Sequence, residues 1–390
     1  MRILVLSFYY PPDIGPGALR AQSIVEALIK EGPADLKIDV ITTMPNRYHS
    51  LKVSASKFEN NNQVSVYRIT LPKHNNGMLD QAKAFILFSF EVRKMILKRS
   101  WHTVIATSGR LMTASLATWV AKRTNSKIYL DIRDLFTDTM SNILKGNLLS
   151  MLIPLFYRLE KWTFQSADKL NVVSAGFLDH VKKTAPNLSP STYTNGVDEI
   201  FLNNDFSIKQ VKPKPLILYV GNIGDGQGLH KIIPDAAKVL ENFQFKLIGD
   251  GSALKLLTSN YLFKTRNNIK IFKPVIRKNL INEYSKADVL FLHLNDYKSF
   301  HKVIPSKIFE YAATGKPILA GVSGYAAEFL TKHVEGVEIF NPCDVKSMKL
   351  GLKKLLKGPR AIDRTNFCKE YSRKKIMNKL AKDALSLFHS

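Results

Sequence analysis

The chain has 390 residues, too many for one ordinary hydrophobic core and suited to two domains. With 45% hydrophobic and 10% aromatic residues, and Cys343 and Cys368 as the only cysteines, it is neither a disordered chain nor a disulfide scaffold. A net charge of +25, from 57 Lys and Arg against 32 Asp and Glu, calls for an anionic partner: a phosphorylated substrate, an anionic lipid surface or nucleic acid.

Neither cysteine has His or Cys neighbours at metal-ligand spacing, so a reducing compartment and no bound metal are expected. No run of about 18 uncharged apolar residues is present to span a bilayer. Residues 1–8 read as a first strand rather than a leader, which predicts a cytoplasmic protein.

In chain order, apolar runs at 3–7, 38–42, 64–69, 103–107, 127–131 and 169–173 alternate with helical patterns at 17–30, 79–98, 113–122, 148–165 and 175–183. Such alternation predicts a parallel sheet covered on both faces. Lys212-Pro-Lys-Pro215 reads as a linker. A second alternation follows, with strands at 216–220, 245–248, 269–272, 289–293, 318–320 and 336–339. Its helices are expected at 229–240, 253–263, 277–286, 306–314, 325–332 and 345–356. Basic helices from 364 to 388 end the chain.

The positive charge is uneven. Residues 344–383 hold 13 basic and 4 acidic side chains. Residues 78–101 and 148–164 are apolar with basic flanks: Lys83, Arg93, Lys94, Lys98 and Arg99 in the first, Arg158 and Lys161 in the second. Phe85, Phe88, Val92, Met95 and Ile96 recur at helical spacing, a stripe that fits either a core or a membrane interface. Without a zinc finger, recognition helix or RNA-binding aromatic signature, nucleic acid is not the expected partner. An anionic membrane surface is.

Several clusters carry chemistry. The loop Tyr9-Tyr-Pro-Pro-Asp-Ile-Gly-Pro-Gly-Ala-Leu-Arg20 precedes the first helix, and Gly15 and Gly17 let backbone pass close to a ligand. Arg20 stands where a dinucleotide fingerprint would place its third glycine. The second strand also ends without an acidic residue, which argues against a nicotinamide or flavin cofactor. Asp131, Arg133 and Asp134 gather at a strand end. Gly221, Gly224, Gly226 and Gly228 fall within eight residues, a candidate backbone nest for phosphate.

The stretch Val303-Ile-Pro-Ser-Lys-Ile-Phe-Glu-Tyr-Ala-Ala-Thr-Gly-Lys-Pro-Ile-Leu-Ala320 is the most informative. A helix opening near Pro305 or Ser306 presents backbone N–H groups to an anion, with Lys307 in its first turn and Glu310 one turn on, in reach of hydroxyls. This stretch closely resembles the donor-site motif of glycosyltransferase family 4, retaining enzymes of the glycosyltransferase B (GT-B) fold.

That resemblance implies an α/β fold of two Rossmann-like, doubly wound domains facing a central cleft, with the last helix crossing back to the first. It places an acceptor-binding domain at 1–205, a nucleotide-sugar domain at 206–365 and the returning helix at 366–390. It implies that Glu310 holds a ribose, and that Asp131, Arg133 and Asp134 serve the reaction centre or acceptor side. Gly15, Gly17, Arg20, Gly221, Asn222, Gly224, Gln227, Gly249, Lys302, Pro305, Ser306 and Lys307 would line the donor.

Two departures stand out. Asn222 and Gln227 replace the Arg and Lys that usually clamp the diphosphate, which shifts weight to Lys307 and Arg20. Lys302 stands where the family's Glu-x7-Glu pattern has its first Glu. Gly-Asn-Ile-Gly and Arg-Asp-Leu-Phe resemble the subgroup that transfers N-acetyl-L-fucosamine-type sugars in O-antigen and capsule synthesis. The implied activity is hexosyl or N-acetylhexosaminyl transfer, without metal, from a nucleotide sugar (a UDP sugar by expectation) to a lipid-linked or polysaccharide acceptor. A nucleotide-sugar epimerase or hydrolase, or a non-catalytic basic binding protein, are the alternatives.

Overall fold

The computed structural model describes residues 1–46, 54–72, 78–97, 99–143, 148–206 and 213–388, so Lys98 and the start of the expected linker, Lys212, lie outside the described residues. The chain divides into two compact units, residues 1–195 with 374–390, and residues 196–373.

In the first unit the elements run β1 (Arg2–Leu6), α1 (Pro16–Glu31), β2 (Lys37–Thr43), β3 (Phe58–Asn61), β4 (Val64–Ile69), α2 (Met78–Ile96), β5 (Thr103–Ser108), α3 (Leu111–Thr124), β6 (Lys127–Ile132), α4 (Phe136–Ile143), α5 (Ile153–Gln165), β7 (Lys169–Val172), α6 (Leu178–Thr184) and β8 (Ser191–Thr192). They form one sheet in the order β3-β4-β2-β1-β5-β6-β7-β8, parallel except where β3 meets β4. Every residue of β5 is buried, as a strand covered on both faces requires.

Crossover handedness sorts the helices. The connection through α1 steps from β1 to β2, whereas those through α2, α3 and α5 step the other way along the sheet. Right-handed crossovers therefore put α1 on one face and α2, α3 and α5 on the other. In keeping with this, α2 packs on α3 and α3 on α5. The α2 stripe faces the core through Phe88, Val92 and Ile96, which are buried.

In the second unit the order is α7 (Glu199–Leu202), β9 (Leu216–Asn222), α8 (Leu229–Val239), β10 (Gln244–Asp250), α9 (Leu254–Ser259), α10 (Tyr261–Thr265), β11 (Ile269–Phe272), α11 (Arg277–Lys286), β12 (Val289–His293), α12 (Lys307–Ala313), β13 (Ile318–Gly321), α13 (Tyr325–His333), β14 (Val337–Phe340), α14 (Val345–Leu355) and α15 (Thr365–Glu370). The sheet β11-β10-β9-β12-β13-β14 is wholly parallel, with apolar clusters on both faces. Strand order reverses between β9 and β12, the switch point where such sheets open a crevice at their C-terminal ends.

The last helix, α16 (Arg373–Leu385), returns residues 374–390 to the first unit. There Asp383 accepts from Lys169 Nζ at 2.7 Å, Ser191 Oγ at 3.0 Å and Tyr129 Oη at 3.1 Å.

The single helix expected at 253–263 is two, because Asn260 interrupts it: its Oδ1 accepts the Leu262 N–H at 2.9 Å and caps α10. The strands β3 and β8 and the helix α4 were not legible beforehand. β3 is exposed throughout and polar but for Phe58, and β8 has two residues.

Candidate active site

In the second unit the site grows from the end of β9. Gly249 pairs with Gly221 in register, and a Cβ on Gly249 would lie 1.8 Å from the Gly221 carbonyl oxygen. Gly249 thus serves the close approach of two strands. A Cβ on Gly221 would stand 3.6 Å from Lys307 Cε, so the Lys307 stem passes beside this turn.

The Gly-rich loop after β9 closes on itself. The Asn222 and Gln227 side-chain amides meet at 2.7 Å, and Gly224 N–H donates to Gln227 Oε1 at 3.2 Å. These neutral amides brace the loop from within, instead of clamping an anion with charge. From outside, Asn295 holds it by donating its backbone N–H to Gly226 O and its Nδ2 to Asp225 O, both at 2.9 Å, while Tyr297 Oη donates to Asp225 Oδ2 at 2.7 Å. His293, stacked on Phe291 and Phe340, bonds Gln227 O through Nδ1 at 2.7 Å and accepts the Cys343 N–H at Nε2 at 2.9 Å. Burial pushes its pKa down to about 4, so the ring is neutral and Nδ1 is the donor.

The helix α12 starts at Lys307, behind Ser306 as its N-terminal cap position. The carbonyls of Pro305 and Ser306 accept the N–H groups of Ile308 and Phe309 at 3.1 and 3.2 Å, which closes the first turn. Lys302 ends a 3-10 turn, Lys298–Lys302, just before this segment. Lys307 Nζ lies 2.7 Å from Glu310 Oε2, and Tyr284 Oη donates to the same oxygen at 3.0 Å. Burial of Glu310 would raise its pKa, but Lys307 above all, then Arg277 and Arg373, hold it below the usual carboxylate value. Both arginines also pair with Asp198, Arg373 at 3.0 Å.

Sequence reasoning missed Tyr284, Asp198 and Arg373. Tyr284 is the one buried residue of α11, beside the partly buried Leu280 and Ile281, and nothing in its local sequence marks it. Asp198 and Arg373 left no trace either, because nothing local ties residues so far apart in the chain.

In the first unit Arg20 and Asp131 are withdrawn into the interior. Arg20 Nε and Nη2 donate to the two Asp131 carboxylate oxygens at 2.7 and 2.8 Å, and its remaining bonds go to the Thr194 and Tyr193 carbonyls. Thr107 Oγ1 and Asn171 Nδ2 complete the shell of Asp131, each at 2.7 Å. Burial alone would raise the Asp131 pKa, and the Arg20 guanidinium outweighs it and holds the carboxyl ionised. Through these bonds the buried pair joins β6 to α1 and to the segment after β8. The two residues expected at the donor and the reaction centre thus form a buried ion pair.

Arg133 and Asp134 follow the same strand end and are half-buried. A Cβ on Gly17 would strike the Arg133 guanidinium at 2.6 Å, so the absence of a side chain there lets Arg133 lie over the start of α1. Gly15 is the cap position of that helix, ahead of Pro16. Burial pushes the Asp134 carboxyl up to about 6. It lines a small recess with Ser108, Arg110 and Glu160. Glu160 is buried and held by Thr137 Oγ1 and His180 Nε2, both at 2.6 Å.

Residues 201–375, nearly the whole second unit, match the family model described as glycosyl transferases group 1. A sucrose-phosphate synthase from Thermosynechococcus elongatus superposes with a TM-score of 0.66 at 14% identity, over 100% of this chain and 98% of that one. Anabaena HepE, solved in complex with UDP-glucose, gives 0.66 at 13% identity over 99% of each chain.

The chain has the GT-B fold.

WaaG, a glycosyltransferase involved in lipopolysaccharide biosynthesis, is a further GT-B structure with a TM-score of 0.64 at 12% identity, over 99% of this chain and 97% of that one. No curated protein matches the chain. On the GT-B fold, the Lys307, Glu310 and Tyr284 cluster occupies the C-terminal side of the second sheet, beside the β9 and β12 switch point. A fold of this kind hosts many reactions, so the chemistry has to be argued from the residues.

Proposed function

We propose that the chain is a retaining glycosyltransferase that moves a sugar from a nucleoside diphosphate donor, by preference a UDP sugar, to a lipid-linked or polysaccharide acceptor of a bacterial surface glycan. The observation that carries this reading is the Lys307–Glu310 pair at 2.7 Å, a cation and a buried carboxylate side by side at the opening of α12 and beside the Gly221 turn. A departing diphosphate needs positive charge, which Lys307 supplies, and ribose hydroxyls need a fixed acceptor, which Glu310 supplies. Arg277 and Arg373 add positive potential to a site whose Asn222 and Gln227 bring none.

On this reading the first unit binds the acceptor, and Arg133 and Asp134 are its reacting-side residues. A carboxyl with a pKa of about 6 can take or return a proton near neutral pH, as a group touching the acceptor hydroxyl must. Asp131 is committed to Arg20, and Glu160, the other carboxylate of the recess, is held by Thr137 and His180, so neither serves as a double-displacement nucleophile and substitution from the departing face is the favoured course. The proposal takes the donor sugar to be of the N-acetyl-L-fucosamine type and the reaction to be independent of metal. HepE, whose structure holds UDP-glucose, supports the donor class.

The test is a thermal-shift and titration screen of the purified protein against UDP, GDP, CDP and ADP, each with and without magnesium. Stabilisation by UDP alone, unaltered by magnesium, is expected. Silence from all four nucleotides would remove the donor site, and release of free sugar from a UDP sugar in the absence of acceptor would turn the reading to a hydrolase.

A further inference from the structure

The helix layer α2, α3 and α5 carries an outer face unlike that of an ordinary soluble domain. With Phe88, Val92 and Ile96 turned to the core, the opposite side of α2 leaves Ile86 at 66% exposure and Phe90 at 56%, with Leu87 and Leu97 beside them. On the far side of α3, Met151, in the 3-10 turn Leu148–Leu152 that leads into α5, is 77% exposed, and Leu155 at the start of α5 is 60% exposed. Isolated apolar residues on a surface mean little, but those of α2 recur at the spacing of one helical face, and Met151 and Leu155 lie close together in sequence where the same layer continues into α5.

Interspersed among them are exposed cations: Lys83, Arg93 and Lys94 on α2, Lys122 and Arg123 at the end of α3, and Arg158 and Lys161 on α5. The acidic residues of these three helices are Asp80, Glu91 and the buried Glu160. Lys94 Nζ sits 4.4 Å above the Phe90 ring and 2.9 Å from Glu91 Oε1, and Lys122 Nζ sits 5.1 Å above the Trp162 ring, so these two ammonium groups lie against aromatic side chains of the layer.

We infer that the outer face of α2, α3 and α5 docks on an anionic lipid surface, with Ile86, Phe90, Met151 and Leu155 entering the headgroup boundary and the flanking lysines and arginines meeting lipid phosphates. Exposed aliphatic side chains on a cationic helix face suit an interface between water and acyl chains. A second copy of the chain would set like charges against each other across a two-fold interface. Nucleic acid would find aliphatic groups where stacking rings are wanted. The inference needs no nucleotide and stands apart from the sugar-transfer reading.

Co-sedimentation with vesicles of phosphatidylcholine alone, and of phosphatidylcholine mixed with phosphatidylglycerol, tests it on the full chain. Binding to the anionic vesicles is expected. Each of Lys83→Gln, Arg93→Gln and Arg158→Gln should weaken it by about fivefold. The pairs Ile86→Ser with Phe90→Ser, and Met151→Ser with Leu155→Ser, should each weaken it by about tenfold or more. These side chains are exposed, so the variants should keep the melting temperature of the parent, and Tyr261→Ser, an exposed residue of the second unit, should bind as the parent does. Three results would overturn the inference: no sedimentation with anionic vesicles, equal binding by the serine variants, or a dimer in solution that those variants dissociate.

Discussion

Arg20 and Asp131, 111 residues apart in sequence, meet inside the first unit through two parallel bonds of 2.7 and 2.8 Å, with the arginine 3% exposed and the aspartate fully buried. Two residues that resemble site groups in the sequence are instead each other's partner.

Breaking this pair should unfold the protein before it alters chemistry. Asp131→Asn leaves a buried guanidinium without its counter-charge and should cost about 3–5 kcal/mol of stability. A double variant, Arg20→Leu with Asp131→Leu, should cost less than the two single changes added together. Urea unfolding of all three measures this. An Asp131→Asn protein with parental stability and no turnover would place Asp131 in the reaction after all.

Lys307→Ala should lower kcat by about tenfold to a thousandfold while the fold persists, because the side chain is partly exposed and its charge acts on the leaving group. The same change removes the chief influence holding the buried Glu310 ionised, so nucleotide affinity in the variant should fall off at a higher pH than in the parent. Steady-state kinetics and UDP titrations across pH check both statements, and unchanged kcat in Lys307→Ala excludes the assigned role.

Two glycines should respond differently to alanine. At Gly249 the added Cβ meets the Gly221 carbonyl, which is backbone inside a parallel sheet, so Gly249→Ala should cost about 1–3 kcal/mol or more. At Gly17 it meets the end of the Arg133 side chain, which can swing away. Gly17→Ala should therefore leave the melting temperature nearly unchanged and lower turnover, if Arg133 acts on the acceptor. Thermal melts paired with activity separate the two.

The stability of the first unit should vary with pH on two sides. Burial lowers the His180 pKa, but its bonds to Asp138 and Glu160 outweigh this and raise it to about 9. The folded state thus favours the charged ring, and its contribution is full below the ordinary histidine value and lost as pH rises through about 9. Burial raises Asp134 to about 6, so the native protein holds a proton that the unfolded chain has released, and stability declines as pH rises from the ordinary aspartate range to about 6. His180→Gln should flatten the alkaline decline and Asp134→Asn the acidic one, as seen in unfolding free energies measured across pH.

Much of the fold was written in local pattern. The strands Val64–Ile69, Ile269–Phe272 and Val289–His293 fall where their apolar runs put them, and α11 keeps the expected bounds Arg277–Lys286. The opening of α12 behind Ser306, with Lys307 in the first turn and Glu310 one turn later, was legible because spacing along one helix fixes which side chains share a face. Short or polar elements such as β3, β8 and the break at Asn260 were not, since they depend on pairing or on a single side-chain bond.

The sequence by itself determined two parallel-sheet units and the helix carrying Lys307 and Glu310, because hydrophobic period and turn residues act over a few positions. Only the tertiary structure decided which charged residues are spent on the fold. Arg20 and Asp131, like Asp198 with Arg277 and Arg373, look in sequence no different from residues of a site. Whether a charge faces solvent or a buried partner is settled by segments far away in the chain, and burial then determines whether that charge can meet a substrate at all.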